Sequence, residues 1–335
     1  MRGGQPSPAL GGLAVVALVL SAACTTAGGE EQSAFPPATP AAAPPTAVSP
    51  AGTVWPVTPS AKGGVQGVAV DGGTGTVAVA VRDPNQLLLL DAGTGAVTRT
   101  IPLPARAAQV TLGPGGSVLV VAGKALLRVP TVGDGAPISQ KLPAEGQDVV
   151  PLPDDGALVS LPDQGRAVVV GPKKVPALRT GDHSAGVAAT GELLGVVDSA
   201  QSTLTVFDTR GKLVQQTRAG DGATHLAVDK RGRFVVVDTR GGELLIFSTG
   251  PLFLRQRHPV AGSPYGTAYD SQRDILWVTL TARNELVGYN LSGGAPREVG
   301  RFPTVRQPDS VAVDAGSGRV YIGSRIDGIV QTITP

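Results

Sequence analysis

Short apolar segments recur along this chain about every forty residues. One phrase, a small or polar residue followed by an apolar trio and then Asp or a turn, returns between Gly67 and Asp314. The closing residues of the trios are 42, 40, 37, 39, 41 and 44 positions apart: Val70, Leu112, Leu152, Ala189, Val228, Tyr269 and Val313. Seven copies of this length are typical of propeller blades. The chain is therefore predicted to be all-β, a seven-bladed β-propeller with four-stranded blades.

Each repeat contains further segments that fit a four-stranded blade. In the first repeat, a Gly-rich turn at 72–75 is followed by apolar residues 77–81 and 87–90, and then by the more polar residues 97–101. Inner strands lie between blades and are expected to be apolar, whereas the outer strand faces water and alternates. No apolar segment keeps a 3.6-residue period for long enough to predict a helix.

The last repeat has three predicted strands, the third at residues 329–334. Its missing outer strand is predicted at residues 53–57, because a closed ring leaves no sheet edge unpaired. Pro56 is compatible with an outermost strand, which tolerates a missing N–H group. The alternative is that residues 53–57 extend a linker and the last blade stays short.

The first 52 residues have a different character. An apolar run at 9–20 follows Arg2 and leads through small residues to Cys24. The run is too short to span a bilayer and is typical of a signal peptide, here residues 1–23. Residues 20–24 resemble a bacterial lipobox, which implies lipidation of Cys24; the alternative is a plain cleaved signal. Residues 24–52 are rich in Pro and Ala and are predicted to be a disordered linker.

The composition excludes several classes of protein. The net charge of +2 and the aromatic content of 4% argue against a nucleic-acid partner. The single cysteine rules out an internal disulfide. Because no phosphate-binding loop or metal-ligand spacing occurs, no cofactor and no metal are expected. We expect a monomer outside the cytoplasm, held at the outer face of the bacterial cytoplasmic membrane by its lipid anchor alone.

Residues 79–97 resemble the YncE/YVTN-type propeller repeat. They read as a strand, an Asn-containing turn, a strand ending in Asp, a Thr-Gly turn and a further strand. Residues 225–247 also resemble an NHL repeat. The resemblance extends over residues 53–335 and implies a seven-bladed propeller of a bacterial lipoprotein. It implies no particular activity, because propellers host many unrelated functions.

One face of the propeller is predicted to carry the site. Loops joining second to third strands, and fourth strands to the next blade, surround the same end of the central channel; we call this the mouth face. Its mixed charges, which include Asp148 and Asp309, could bind a polar or anionic ligand through arginine forks. The candidate ligand-binding residues are Arg82, Arg106, His183, Asp198, His225, Asp238, Arg240, Tyr265, Arg283, Arg306 and Arg325.

Four of these candidates have two interpretations. Asp198 and Asp238 end second strands in adjacent blades, and could bind a cation as in propeller lactonases or cap their own turns. His183 and His225 could act as general bases or metal ligands, or cap loops. No catalytic residue is assigned. The sequence favours a binding or protein-interaction scaffold at the cell envelope, with an unknown protein or small polar ligand as partner; the alternative is a metal-dependent hydrolase of the propeller lactonase type.

Overall fold

The computed structural model describes residues 1, 3–5, 36–44, 49–57 and 64–335. Residues 6–35, with Cys24 and most of the expected signal peptide, lie outside this part. The chain divides into two units, Met1–Ser33 and Ala34–Pro335, and the fold concerns the second. Among the described residues, no helix has the length and apolar character that crossing a membrane requires.

The described residues form seven four-stranded antiparallel sheets, as the repeat predicted. Blade 7 joins both ends of the propeller, in the order β1-β28-β27-β26. Its strands are β1 (Thr53–Pro56), β26 (Pro308–Val313), β27 (Val320–Ser324) and β28 (Ile329–Ile333).

Blades 1 to 6 each consist of four consecutive strands, numbered from the channel outward. Blade 1 has β2 (Val65–Asp71), β3 (Thr76–Val81), β4 (Gln86–Asp91) and β5 (Val97–Pro102). Blade 2 has β6 (Ala107–Gly113), β7 (Ser117–Ala122), β8 (Ala125–Pro130) and β9 (Ile138–Lys141). Blade 3 has β10 (Val149–Pro151), β11 (Ala157–Leu161), a short 3-10 turn (Pro162–Gln164), β12 (Arg166–Val170) and β13 (Leu178–Arg179).

The remaining three blades repeat the pattern, with outer strands of six to eight residues. Blade 4 has β14 (Ser184–Thr190), β15 (Leu193–Asp198), β16 (Thr203–Asp208) and β17 (Leu213–Arg218). Blade 5 has β18 (Ala223–Val228), β19 (Phe234–Asp238), β20 (Glu243–Thr249) and β21 (Leu252–Pro259). Blade 6 has β22 (Pro264–Asp270), β23 (Ile275–Leu280), β24 (Glu285–Asn290) and β25 (Arg297–Pro303).

The predicted ring closure is confirmed by the pairing of β1 with β28. Thr53 lies opposite Thr332 and Pro56 opposite Ile329 in an antiparallel register. Trp55 packs against Tyr321 with 5.9 Å between the ring centroids. The same indole covers Gly95 of blade 1, where an added Cβ would lie 2.4 Å from Trp55 Cδ2. The first and last blades are therefore locked together by a contact that only glycine permits.

Hydrophobic packing lies between blades. The seven apolar clusters among the described residues each combine side chains from two consecutive blades, including one between blades 7 and 1. The second strands are buried throughout, as in β3, whereas outer strands such as β17 are mostly exposed, as the gradient of polarity predicted. Burial on both faces of each sheet supplies the main stabilisation, at ~25 cal/mol per Å² of apolar surface removed from water.

Residues 36–44, within the predicted linker, contact the propeller. They run across the mouth face, and Ala41 and Ala43 donate backbone hydrogen bonds to Ser263 Oγ and Gln307 Oε1, at 3.0 and 2.8 Å. A polypeptide segment from outside the repeats therefore covers part of the predicted ligand face.

Candidate functional site at the channel mouth

Bulges at the start of the inner strands bring polar side chains into the channel. Six of the seven first strands shift register there, for example between Val65 and Gly67 in blade 1 and between Ala223 and His225 in blade 5. A bulge inserts an extra residue and re-aims the neighbouring side chains. The first strands therefore begin at the mouth face, where their polar side chains form a ring. The apolar wall of the channel starts deeper.

The channel encloses a cavity of about 460 Å³. Its deeper wall is apolar and consists of small side chains, such as Val68, Val110 and Ala188. Its mouth end is lined by Gln66, Gln109, Asp148, His225, Tyr265, Asp309 and Arg325. A concave apolar site with a few polar groups at one end is the usual form of a small-molecule pocket.

Asp148 ties three blades together at the channel. Its Oδ1 accepts hydrogen bonds from Gln109 Nε2 of blade 2, at 3.1 Å, and from its neighbour Val149, at 2.8 Å. Its Oδ2 accepts the backbone N–H of Val187 in blade 4, at 2.9 Å. Burial raises the pKa of this carboxyl, while the three donors oppose that rise. Asp148 thus stabilises the wall of the channel.

His225 and Tyr265 form an aromatic pair on the opposite side of the channel. Their rings meet edge to face with 4.5 Å between centroids, and His225 Nδ1 is 3.1 Å from Thr224 Oγ1. Burial lowers the pKa of His225 to about 4 and raises the pKa of Tyr265 to about 12. Both side chains are therefore neutral near pH 7, and they offer a ligand an aromatic edge with polar tips.

Three arginines gather where blades 7, 1 and 2 meet. Arg106 Nε donates to Gln66 Oε1 at 2.5 Å. Burial lowers the pKa of Arg106, and the positive charges of Arg325 and Arg82 lower it further. The negative charge of Asp83 partly offsets this effect. We call Arg82, Arg106 and Arg325 the arginine cluster.

Carboxylates near these arginines stand beyond hydrogen-bond distance. Arg82 Nε is 3.9 Å from Asp83 Oδ2, and Arg325 Nε is 3.9 Å from Asp309 Oδ2. Arg306, on the neighbouring loop, has its Nη1 at 3.7 Å from Asp327. Within the described residues, the buried Nε atoms of Arg82 and Arg306 have no hydrogen-bond acceptor. A buried N–H group without an acceptor costs free energy.

Asp198 and Asp238 lie where the sequence placed them, at the ends of β15 and β19, and both are fully buried. Asp198 accepts the backbone N–H groups of His183, Ala200 and Gln201. Asp238 accepts those of Asp221, Gly222 and Gly241. This geometry favours turn capping over ligand contact, and the His183 backbone is part of one cap.

The other candidates lie around the rim rather than in the channel. Arg240 donates to the carbonyl oxygens of Asp221 and Pro36, and Arg283 packs over Gly262. Of the candidates, Arg325, His225 and Tyr265 line the channel, and Arg106 reaches the channel residue Gln66. The remaining candidates lie outside the lining: Arg82, His183, Asp198, Asp238, Arg240, Arg283 and Arg306. Among the residues that the structure describes, no group of three or more His, Cys, Asp or Glu side chains is placed to hold a metal ion.

Two channel glutamines, Gln66 and Gln109, were missed by the sequence analysis. The repeat itself carries a signal for them. A polar or aromatic side chain occurs three or four positions before the anchor residue in six of the seven repeats: Gln66, Gln109, Asp148, His225, Tyr265 and Asp309. Since β-strand alternation and the bulge fix which way such residues point, this column of the repeat marks the mouth of the channel.

The fold is that of β-propeller proteins of known structure. The chain is similar to virginiamycin B lyase from Staphylococcus aureus, at 14% identity and a TM-score of 0.70, over 84% of this chain and 98% of that one. A streptogramin B lyase gives 12% identity, a TM-score of 0.69 and coverages of 84% and 98%. The propeller domain of Swd1 from Myceliophteria thermophila gives 12% identity, a TM-score of 0.68 and coverages of 81% and 97%.

Identities this low show the fold alone. No family model matches the chain, and no curated protein matches it. The YncE/YVTN-type resemblance of the repeats therefore stays a prediction, within the broader class of β-propellers that the structural neighbours define.

Proposed function

We propose that this chain is an exported, lipid-anchored β-propeller that binds a small anionic ligand at the mouth of its channel. The observation that carries the proposal is the arginine cluster, in which Arg82 and Arg325 have a carboxylate at 3.9 Å, beyond hydrogen-bond distance, and Arg106 Nε donates to the uncharged Gln66. The signal-like segment and Cys24 support an address at the outer face of the cytoplasmic membrane.

Repulsion within the arginine cluster makes an anion favourable there. The lowered pKa of Arg106 reports that its charge is destabilised by burial and by Arg325 and Arg82. A carboxylate or phosphate group would neutralise the cluster and accept charge-assisted hydrogen bonds from the guanidinium groups. The adjoining cavity, of about 460 Å³, has room for the rest of a small molecule, with Tyr265 and His225 along one side.

Catalysis has weaker support than binding. Within the described residues, the polar partner of the His225 imidazole is Thr224, so no carboxylate orients it as a general base. Asp198 and Asp238, which a lactonase-type metal site would need, are occupied by backbone N–H groups.

Isothermal titration of the full chain with citrate and with pyrophosphate tests the proposal. We expect one of these anions to bind, and Arg106→Gln and Arg325→Gln each to weaken binding by at least about tenfold, the loss of one charge-assisted hydrogen bond. Arg297→Gln is the matched control, because Arg297 is exposed on outer strand β25 and the change removes the same charge. Equal weakening by Arg297→Gln, or no binding of either anion, would refute a specific site.

A further inference from the structure

Residues 36–44, here called the strap, cross the mouth face over blades 5, 6 and 7. The strap is contacted at both ends. Arg240 Nη2 donates to the carbonyl oxygen of Pro36 at 2.5 Å, and Asn284 Nδ2 to that of Pro44 at 3.5 Å. The receiving side chains come from loops more than 200 residues away in sequence, so this contact is tertiary and specific to the assembled face.

The Gln307 side chain binds backbone groups of the strap. Gln307 Oε1 accepts the N–H of Ala43 at 2.8 Å, and Gln307 Nε2 donates to the carbonyl of Ala41 at 3.1 Å. The N–H of Ala41 is bound in turn by Ser263 Oγ at 3.0 Å. Both backbone groups of Ala41 are thus satisfied by side chains of the propeller.

The recognising side chains are held in place by the propeller itself. Gln307 and Asn284 are buried, at 9% and 5% exposure. The backbone N–H of Gln307 donates to Asn284 Oδ1 at 3.0 Å, and Gln307 Nε2 also donates to Asp309 at 2.8 Å. Two neighbouring loops therefore orient one amide group toward the strap, which is the organisation of a binding site rather than of an incidental surface contact.

Two of the contacting residues have strained backbones. Ser263 and Gln307 have φ values of 58° and 49°, in the left-handed region that non-glycine residues rarely adopt. Each directly precedes a proline, Pro264 and Pro308, which usually favours an extended conformation. Such strain persists where the surroundings fix it, and it is concentrated at ligand clamps and functional sites.

The strap suits recognition through its backbone. Its sequence is Pro-Pro-Ala-Thr-Pro-Ala-Ala-Ala-Pro, and proline restricts the chain to extended conformations before binding. Its side chains are small, and Ala38 sits where a Cβ on Gly222 would lie 2.7 Å from it. The contact is therefore close enough to require glycine at position 222.

We propose that this part of the mouth face is a binding site for extended polypeptide segments rich in Pro and Ala, and that the strap is its occupant in cis. Ser263, Asn284 and Gln307 bind backbone groups of the segment. The close approach of Ala38 to Gly222 favours a small side chain there. Since an occupant tethered to the same chain competes at an effective concentration of about millimolar, a segment from another molecule binds only after the strap is displaced.

Peptide binding to full-length variants tests this site. Ala41→Pro and Ala43→Pro together remove the two N–H groups that bind Ser263 and Gln307, while keeping the strap extended and small. A fluorescein-labelled peptide with the sequence of residues 36–44 is the probe, followed by anisotropy. We expect the double variant to bind it at least about tenfold more tightly than the wild-type chain, whose strap competes in cis.

Ala42→Pro is the matched control, because Ala42 is exposed and its N–H is not among the hydrogen bonds that hold the strap; it should behave as wild type. Adding Gln307→Ala to the double variant should weaken peptide binding at least about tenfold. Ser263→Ala is a milder change that replaces Gln307→Ala if the latter impairs folding. It too should weaken peptide binding. The proposal is overturned if the double variant binds no better than Ala42→Pro, or if neither change at the receiving residues alters binding.

Discussion

The two faces of the propeller use arginine differently. On the face opposite the mouth, which we call the far face, Arg233 Nε lies 2.6 Å from Asp229 Oδ2 and Arg273 Nη1 lies 3.0 Å from Asp270 Oδ2. On the mouth face the pairs at Arg82, Arg306 and Arg325 are 3.9, 3.7 and 3.9 Å long. These three mouth-face arginines are left partly uncompensated, whereas Arg218, farther out on the same face, pairs with Asp221 at 3.1 Å.

Far-face arginines also join neighbouring blades. Arg233 Nη2 donates to the carbonyl of Leu291 in blade 6, at 3.1 Å, and Arg273 Nη1 to that of Ala315 in blade 7, at 2.9 Å. Their carboxylate partners are buried and accept turn N–H groups as well. The far face is therefore built for stability, whereas the mouth face keeps cationic donors available for a ligand.

The largest loss of stability is expected when a far-face ion pair is broken. Asp229→Ala leaves Arg233 and two turn N–H groups without their acceptor, and should lower the free energy of unfolding by about 3 kcal/mol. Arg106→Gln on the mouth face relieves repulsion between cations. It should change the free energy of unfolding by less than about 0.5 kcal/mol. Urea unfolding of both variants gives the two numbers, and similar losses in both would remove the distinction between the faces.

The pH dependence of His225 is the next largest effect. Its pKa is about 4 in the folded protein and about 6.5 in the unfolded chain, so the unfolded state binds the extra proton in between. The stabilisation is present above about pH 6.5 and is lost as pH falls toward 4, by at most about 2 kcal/mol between pH 7 and 5 because the imidazole borders the channel.

His225→Gln should flatten this part of the stability profile. Asp148 and Asp309, whose pKa values are raised by burial, contribute with the opposite sign, but they remain in both proteins and cancel in the difference. Unfolding of wild type and variant is compared at pH 7 and pH 5; parallel profiles would show that His225 is solvated like an ordinary imidazole.

The smallest effect is expected from an exposed far-face pair. Arg210 is 86% exposed and lies 3.0 Å from Asp208. Arg210→Gln should change the free energy of unfolding by less than about 0.5 kcal/mol, since water solvates the arginine and Asp208 keeps its backbone donors at positions 210 and 212. Chemical denaturation beside Asp229→Ala checks this. A loss as large as that of Asp229→Ala would mean that position on the far face, rather than burial, decides the contribution.

The repeat predicted blades well and individual contacts poorly. The weakest copy, at Leu152, falls just past the three-residue strand β10, and its blade ends in a two-residue β13. His225 and Tyr265 were assigned to the mouth face, and both line the channel. Asp198 and Asp238 were placed on the right strands, but their carboxylates are directed to backbone N–H groups, which strand position alone does not reveal.

The strap shows most clearly which contacts the sequence could not predict. Its Pro- and Ala-rich composition has no apolar period, and its partners lie 204 to 266 positions away in the chain. Nothing local distinguishes Gln307 from any other loop glutamine, because its role depends on the ring bringing blades 6 and 7 beneath the strap.

The sequence by itself determined the seven blades and their closure, because strands that are apolar on both faces can be buried only by stacking repeats into a ring. The tertiary structure alone decided which charges are neutralised, which carboxylates cap turns and where the strap lies. Those outcomes depend on separations of about 1 Å between groups that are distant in the chain, and a hydrogen bond or ion pair is gained or lost over that distance.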